Sequence, residues 1–138
     1  MAVWEKLKFW GKAELQPVHL RYGSLGEEAA QNFLKKKGLK FLTANFSTKR
    51  GEIDLIFRDC NCLVFVEVKT RSSETWSRPE RAVNSRKSRA LMRAAQDYLR
   101  LLKTTEVAWR FDIVEVLLEA GAVREVRHLE NTVLRRRR

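Results

Sequence analysis

Residues 51–71 read GEIDLIFRDCNCLVFVEVKTR, and this stretch decides the fold. It contains two strand-like segments, 52–57 and 63–69, which are rich in β-branched and aromatic residues. The Asp59-Cys60-Asn61 cluster between them is typical of a turn. The stretch therefore predicts a β-hairpin.

The register of this hairpin follows from an even-length loop between its strands. Such a loop places Asp54 opposite Glu67 and Glu52 opposite Lys69 on one face. The other face is apolar and suits core packing; it holds Ile53, Leu55, Phe57, Val64, Val66 and Val68. A one-residue bulge would instead turn Asp54 to that other face.

Asp54 and Glu67 are then two carboxylates with Cβ atoms only about 5 Å apart. Like charges at this spacing destabilise a sheet, whereas a divalent cation reverses the penalty, because carboxylate oxygens are hard ligands that suit Mg²⁺. Lys69 follows on the same face, where it can orient or deprotonate water or stabilise charge on a phosphate. The alternative is a solvated strand face with an ordinary Glu52–Lys69 ion pair.

The segment before the hairpin predicts a helix over 25–37. Ser24 is a good N-cap, Glu27 stands in the capping-box position, and Gly38 fits the residue that follows the helix. Glu27 also lies on or beside the inward face of this helix. It is therefore either a capping residue alone or a further acid that faces the hairpin.

The remaining elements complete a single sheet. Four more are predicted, namely a strand before the hairpin and then a long helix and two closing strands after it: 39–46, 85–103, 107–118 and 123–128. The first three strands form an antiparallel meander, and the long helix acts as a crossover that makes the returning strand parallel to the third. The fold class is therefore α/β, with an αβββαβ order, a mixed sheet flanked by helices and one additional C-terminal strand.

The composition indicates one basic domain. The chain has 138 residues and a formal charge of +11, and we expect an N-terminal extension over 1–22, a domain over 23–130 and a basic tail over 131–138. The charge favours nucleic acid as partner ahead of an anionic membrane.

No window approaches the roughly 20 apolar residues of a membrane span. Cys60 and Cys62 are expected to be free thiols, which suits the cytoplasm.

Several blocks occur together in the sequence: Gly23-x-x-Gly26-Glu27, Asn45, Gly51 to Ile56, Val64 to Arg71, and Arg110-Phe111-Asp112. Together they closely resemble the bacterial YraN-like family of candidate endonucleases, over about residues 20–118. That family is similar to the restriction-endonuclease-like superfamily, whose motif is written PD-(D/E)xK, and to archaeal-type Holliday-junction resolvases. The resemblance implies a restriction-endonuclease-like αβββαβ core, which agrees with the element order above.

The resemblance also implies roles for individual residues. Asp54 and Glu67 match its metal-binding acids, and the backbone carbonyl of Val68 matches a further ligand of Mg²⁺ or Mn²⁺. Lys69 matches its catalytic lysine. Glu27 matches a first-helix glutamate that the resolvases bring to the metal site. The implied catalytic set is Asp54, Glu67, Lys69 and Glu27.

Basic residues after the third strand are candidates for holding the phosphate backbone: Arg71, Arg86 and Lys87. Each has an ordinary alternative as a solvated surface side chain. Trp76 either stacks on a base or packs in its loop, and the chain departs from the family here, because the family has a glycine after this aromatic residue and this chain has Ser77. Asp112, in an apolar strand, is interpreted as a structural hydrogen-bonding acid.

The sequence therefore predicts a metal-dependent endonuclease that hydrolyses phosphodiester bonds in DNA, with branched or recombination intermediates as candidate substrates. The alternative is a nucleic-acid-binding module with a nuclease-like fold and no significant turnover. The complete set of Asp54, Glu67 and Lys69 favours the enzyme, because a degenerate site is expected to lose one member. A homodimer is one assembly that this activity allows.

Overall fold

The computed structural model describes residues 24–72, 76, 85–103 and 106–131, except for the side chains of residues 24 and 85–88. The predicted extension over 1–22 and the tail beyond residue 131 lie outside this range. Cys60 and Cys62 are both free thiols.

Two helices and five strands make up the described part of the chain, in the predicted order. They are α1 (Ser24–Lys36), β1 (Lys40–Thr48), β2 (Gly51–Asp59), β3 (Cys62–Arg71), α2 (Ser85–Leu102), β4 (Ala108–Glu119) and β5 (Ala122–Leu129). Within the described residues, neither helix has the length and apolar character needed to cross a membrane.

The end of α1 shows how the sequence fixes an element boundary. Gly38 has a φ of +101° and donates its N–H to the carbonyl of Lys35 at 3.0 Å. Leu39 donates to the carbonyl of Leu34 at 3.1 Å. This pair of bonds is the Schellman motif, which favours glycine at the residue with positive φ. The prediction that Gly38 follows the helix is confirmed.

One mixed sheet contains all five strands in the order β1-β2-β3-β4-β5. β1, β2 and β3 form an antiparallel meander, β4 returns parallel to β3 after the α2 crossover, and β5 pairs antiparallel with β4. This topology confirms the predicted fold class, and it is consistent with a restriction-endonuclease-like αβββαβ core that carries one more strand.

Apolar side chains cover both faces of the sheet. The α1-side core consists of Ala30, Leu34, Leu39, Leu55, Phe57, Val64, Val66, Val114 and Val116. The α2-side core consists of Ile53, Ile56, Leu63, Phe65, Leu91, Ala94, Ala95, Tyr98, Leu102, Phe111 and Ile113. Each face is thus covered by one helix, as the sandwich arrangement requires.

The alternation of β2 breaks at one position, so part of the predicted apolar face was wrong. Leu55 lies in the α1-side core, as expected, but Ile53 lies in the α2-side core. The neighbouring strand changes face at the same level, where Asn45 has a φ of +52° and the β1–β2 ladder omits the Asn45–Asp54 pair. A left-handed residue cannot continue a regular pleat, and Asp54 therefore sits at a local change of face.

Tyr98→Phe is expected to raise the free energy of unfolding by about 1 kcal/mol. The Tyr98 side chain is 2% exposed, and among the described residues its hydroxyl has no hydrogen-bond partner. Its ring packs edge-on against Phe46 and Phe65, contacts that phenylalanine preserves. Urea unfolding measures the change, with Tyr98→Leu as the variant that loses the ring contacts. A loss of stability in Tyr98→Phe would show that the hydroxyl is bonded.

Candidate active site

The β2–β3 hairpin has the predicted register over its inner half. Backbone pairing runs from Asp59–Cys62 to Leu55–Val66 and ends there. The predicted pairs of Asp54 and Glu52 lie beyond the end of this ladder. The N–H of Val68 instead donates to Oδ2 of Asp54, at 2.8 Å. The two strands therefore separate at Asp54, and its carboxylate takes the place of a backbone acceptor.

Three carboxylates lie near enough to Asp54, where the strands separate, to affect its charge. Glu67 is 8% exposed, Asp54 and Glu27 are partly buried, and Glu52 is exposed. Burial and, to a smaller extent, the negative charges of Glu67, Glu27 and Glu52 together raise the pKa of Asp54 to about 7, against the opposing effect of the Val68 N–H. We call these four residues the acid cluster. The predicted acids Asp54, Glu67 and Glu27 are thus brought into one electrostatic neighbourhood.

Glu27 reaches the acid cluster because α1 passes very close to the end of β3. A Cβ atom added to Gly26 would lie 2.5 Å from Oγ1 of Thr70, so only glycine permits this approach without a shift of the threonine. Burial raises the pKa of Glu27, a hydrogen bond with the Asn45 side chain lowers it, and the charges of Glu52 and Glu67 raise it. Glu27 therefore faces the site, whatever it also contributes as a capping residue.

The oxygen donors of the acid cluster fit a hard divalent cation such as Mg²⁺ or Mn²⁺. A buried carboxyl whose pKa is raised by burial and by like charges gains strongly from a nearby cation. Within the described part of the chain, no three His, Cys, Asp or Glu side chains form a compact ligand group. A ligand set here consequently rests on Asp54 and Glu67, with the backbone of Val68 beside them.

The predicted basic residues fall into two groups. Lys69 is partly buried on β3, two residues after Glu67 and on the same face. Arg71 donates from Nε to Oε2 of Glu115 at 3.3 Å, so its guanidinium is fixed to β4. Arg86 and Lys87 lie in the first turn of α2, and their side chains are outside the described residues. Their contact with phosphate stays a prediction.

Asp112 plays the structural role expected of it. It is 1% exposed and accepts hydrogen bonds from Nε of Arg110 at 3.1 Å and from the backbone N–H of Asn131 at 3.0 Å. His128 contacts its other oxygen at 2.8 Å. These bonds, above all those from His128 and Arg110, outweigh burial and lower the pKa of Asp112. This acid lies in its own network and is not part of the acid cluster.

Two residues near the site were not assigned a role from the sequence. Asn45 binds Glu27 and has the positive φ that interrupts β1, and nothing in the sequence marks an asparagine in a strand as left-handed. Glu115 is fully buried among apolar neighbours of β4. The sequence did indicate a role for Glu115, because a charged residue inside an apolar strand needs a partner of opposite charge.

A match to a known family model covers residues 26–116. The chain belongs to the uncharacterised protein family UPF0102. Among UPF0102 relatives, a protein of Alkaliphilus oremlandii is 41% identical over 116 residues, which are 83% of this chain and 98% of that protein. One of Caldicellulosiruptor saccharolyticus is 44% identical over 96 residues, 70% of this chain and 81% of that protein. The UPF0102 match includes all four residues of the acid cluster and Lys69, and it ends before β5.

Proposed function

We propose that this UPF0102 protein is a metal-dependent endonuclease of the restriction-endonuclease-like superfamily that hydrolyses phosphodiester bonds in DNA. One observation carries the proposal. The strands β2 and β3 separate at Asp54, whose largely buried carboxylate interacts with that of Glu67, and Lys69 follows Glu67 by two residues on the same strand. A purely structural hairpin gains nothing from two buried like charges, because they destabilise the sheet.

Asp54, Glu67 and the carbonyl of Val68 are the residues that would hold Mg²⁺ or Mn²⁺, and Glu27 would contribute through water. When bound, the metal supplies Lewis acidity, which activates water and neutralises charge on the phosphate. Asp54 is fixed for this role by its bond to the Val68 N–H. Lys69 carries a positive charge beside these acids, where it can donate hydrogen bonds to a phosphate oxygen or to the attacking water.

The substrate class follows from charge. The chain carries 28 Lys and Arg against 17 Asp and Glu, and such an excess supports binding to a phosphate backbone without reading sequence. Branched or recombination intermediates are the substrates we put forward first. A homodimer would bring two such sites to one junction, and sedimentation with and without junction DNA measures this.

Cleavage of linear, nicked, single-stranded and four-way-junction DNA with Mg²⁺ or Mn²⁺ tests the function. We expect the parent protein to cut at least one of these, and Lys69→Ala to lower the rate about hundredfold, the usual contribution of a group that handles protons or developing charge. Lys40→Ala, which removes an exposed lysine of β1, is the matched control and should cut like the parent. Binding without cleavage by the parent, across all substrates and both metals, would favour the binding module.

A further inference from the structure

A row of charged residues crosses three neighbouring strands next to the acid cluster. Lys69 of β3 is the register partner of Glu115 of β4, and Glu115 is the register partner of Arg127 of β5. Adjacent strands lie about 4.8 Å apart, so the backbones of Lys69 and Arg127 are separated by roughly 10 Å. Arg127 follows the part of the chain that matches the family model.

All three residues point to the same side of the sheet. Ile113 lies in the α2-side core, and Glu115 follows it by two residues in β4. Phe65 lies in that core too, and Lys69 follows it by four residues in β3. Val126 packs against the α1-side core, so its neighbour Arg127 points the other way. Arg127 therefore shares a face with Lys69.

Glu115 holds two arginines beside Lys69. Its carboxylate, 0% exposed, accepts from Nε of Arg127 at 2.8 Å and from Nε of Arg71 at 3.3 Å. Both arginine side chains are about one quarter exposed, 23% for Arg127 and 24% for Arg71. They are thus held at the surface of the sheet and are not buried.

Trp76 makes two further contacts with Arg127. The guanidinium lies over the indole ring, 3.8 Å from the ring centroid, and Nη2 donates to the carbonyl of Trp76 at 2.7 Å. Trp76 is therefore a packed loop residue, which is one of the two interpretations that its sequence allowed. Among the described residues Nη1 of Arg127 has no hydrogen-bond partner, so a rigidly oriented guanidinium retains donors for a ligand.

We propose that Arg127, positioned by Glu115 and Trp76, is a phosphate-binding residue that contacts the DNA backbone close to the scissile bond. The proposal rests on the proposed function, because it takes the acid cluster as the place of cleavage. A separation of roughly 10 Å from Lys69 allows both residues to contact the same stretch of backbone. An arginine held flat and oriented is suited to a phosphate, because its planar fork matches the phosphate oxygens.

Binding measured without cleavage tests this inference separately. A fluorescein-labelled duplex is titrated in EDTA at several KCl concentrations against the parent, Arg127→Gln and Arg124→Gln. Arg124 is an exposed arginine of the same strand that pairs with Glu119, and its variant is the matched control. We expect Arg127→Gln to bind about tenfold more weakly and to lower the slope of log K against log salt by about 0.9, the value of one phosphate contact. Arg124→Gln should match the parent.

A second measurement uses the parent protein alone and stays decisive if Arg127→Gln does not fold. Phenylglyoxal modifies accessible arginines, and peptide mass spectrometry reads Arg127 and Arg124 with and without the duplex. Protection of Arg127 but not Arg124 supports the inference. Equal modification of Arg127 in both samples, or an unchanged salt slope in folded Arg127→Gln, overturns it while leaving the nuclease proposal intact. Absence of DNA binding by the parent would overturn both.

Discussion

Asp54→Asn is expected to abolish cleavage and, in the absence of metal, to make the protein more stable at mildly alkaline pH. The rate should fall at least about thousandfold, because the variant would lose one of the two proposed carboxylate ligands of the metal. The asparagine amide oxygen can still accept the Val68 N–H that Asp54 accepts at 2.8 Å. The variant therefore preserves the local backbone, and its loss of cleavage can be attributed to the missing negative charge.

The gain in stability follows from the pKa of Asp54. Burial and the neighbouring carboxylates raise this pKa to about 7 in the folded protein, from an ordinary value of 3.8. The folded state then binds more protons than the unfolded state between these two values, so the free energy of unfolding falls as pH rises through this window. The full penalty is present above about pH 7. Removing it should add up to about 4 kcal/mol, at about 1.4 kcal/mol for each pKa unit of the shift.

Added metal should remove the stability advantage of Asp54→Asn. A ligand that binds only the folded state adds about 4.1 kcal/mol at a thousandfold excess over its Kd, and we expect Mg²⁺ or Mn²⁺ to raise the melting temperature of the parent but not of Asp54→Asn. Glu125→Gln, which removes an exposed acid of β5, is the control and should behave as the parent in all three measurements. Cleavage that survives in Asp54→Asn, or a variant less stable than the parent at alkaline pH, would refute the site.

The hairpin shows how far sequence reasoning reaches. Its register could be predicted because turn length and apolar patterning both act locally, and pairing from Leu55 to Asp59 follows the prediction. Its outer end could not be predicted, because the change of face at Ile53 depends on the left-handed backbone of Asn45 in the neighbouring strand. This irregularity lets the Asp54 carboxylate accept the Val68 N–H, whereas a regular ladder would have paired Asp54 directly with Glu67.

The candidate site likewise combines residues whose proximity could be predicted from the sequence with one whose position could not. Asp54, Glu67 and Lys69 lie within one hairpin, so their proximity could be predicted from spacing. Arg127 is distant in sequence, and its place beside Lys69 depends on the α2 crossover and on the pairing of β5 with β4. No local pattern distinguishes this arginine from the many surface arginines of a basic chain. What distinguishes it is the buried Glu115 that holds it.

Gly51→Ala is expected to cost about 3 kcal/mol of stability, the largest effect that we expect from a Gly→Ala change among the described glycines. A Cβ atom at Gly51 would lie 2.2 Å from the carbonyl oxygen of Ala90 and 3.0 Å from its carbonyl carbon. Both atoms belong to the backbone of α2, which cannot move away without shifting the helix from β2. Because β2 continues into Glu52 and Asp54, cleavage by the folded fraction should fall as well.

Gly26→Ala is the matched control, because it also places a methyl group in a close contact, 2.5 Å from Oγ1 of Thr70. That atom belongs to a side chain that can rotate, and alanine is favoured over glycine in a helix by about 1 kcal/mol. We therefore expect Gly26→Ala to stay within about 1 kcal/mol of the parent, as measured by urea unfolding of both variants. Equal stability of Gly51→Ala and the parent would mean that α2 does not approach β2 this closely. The backbone contact, and with it the placement of α2 beside the acid cluster, would then be wrong.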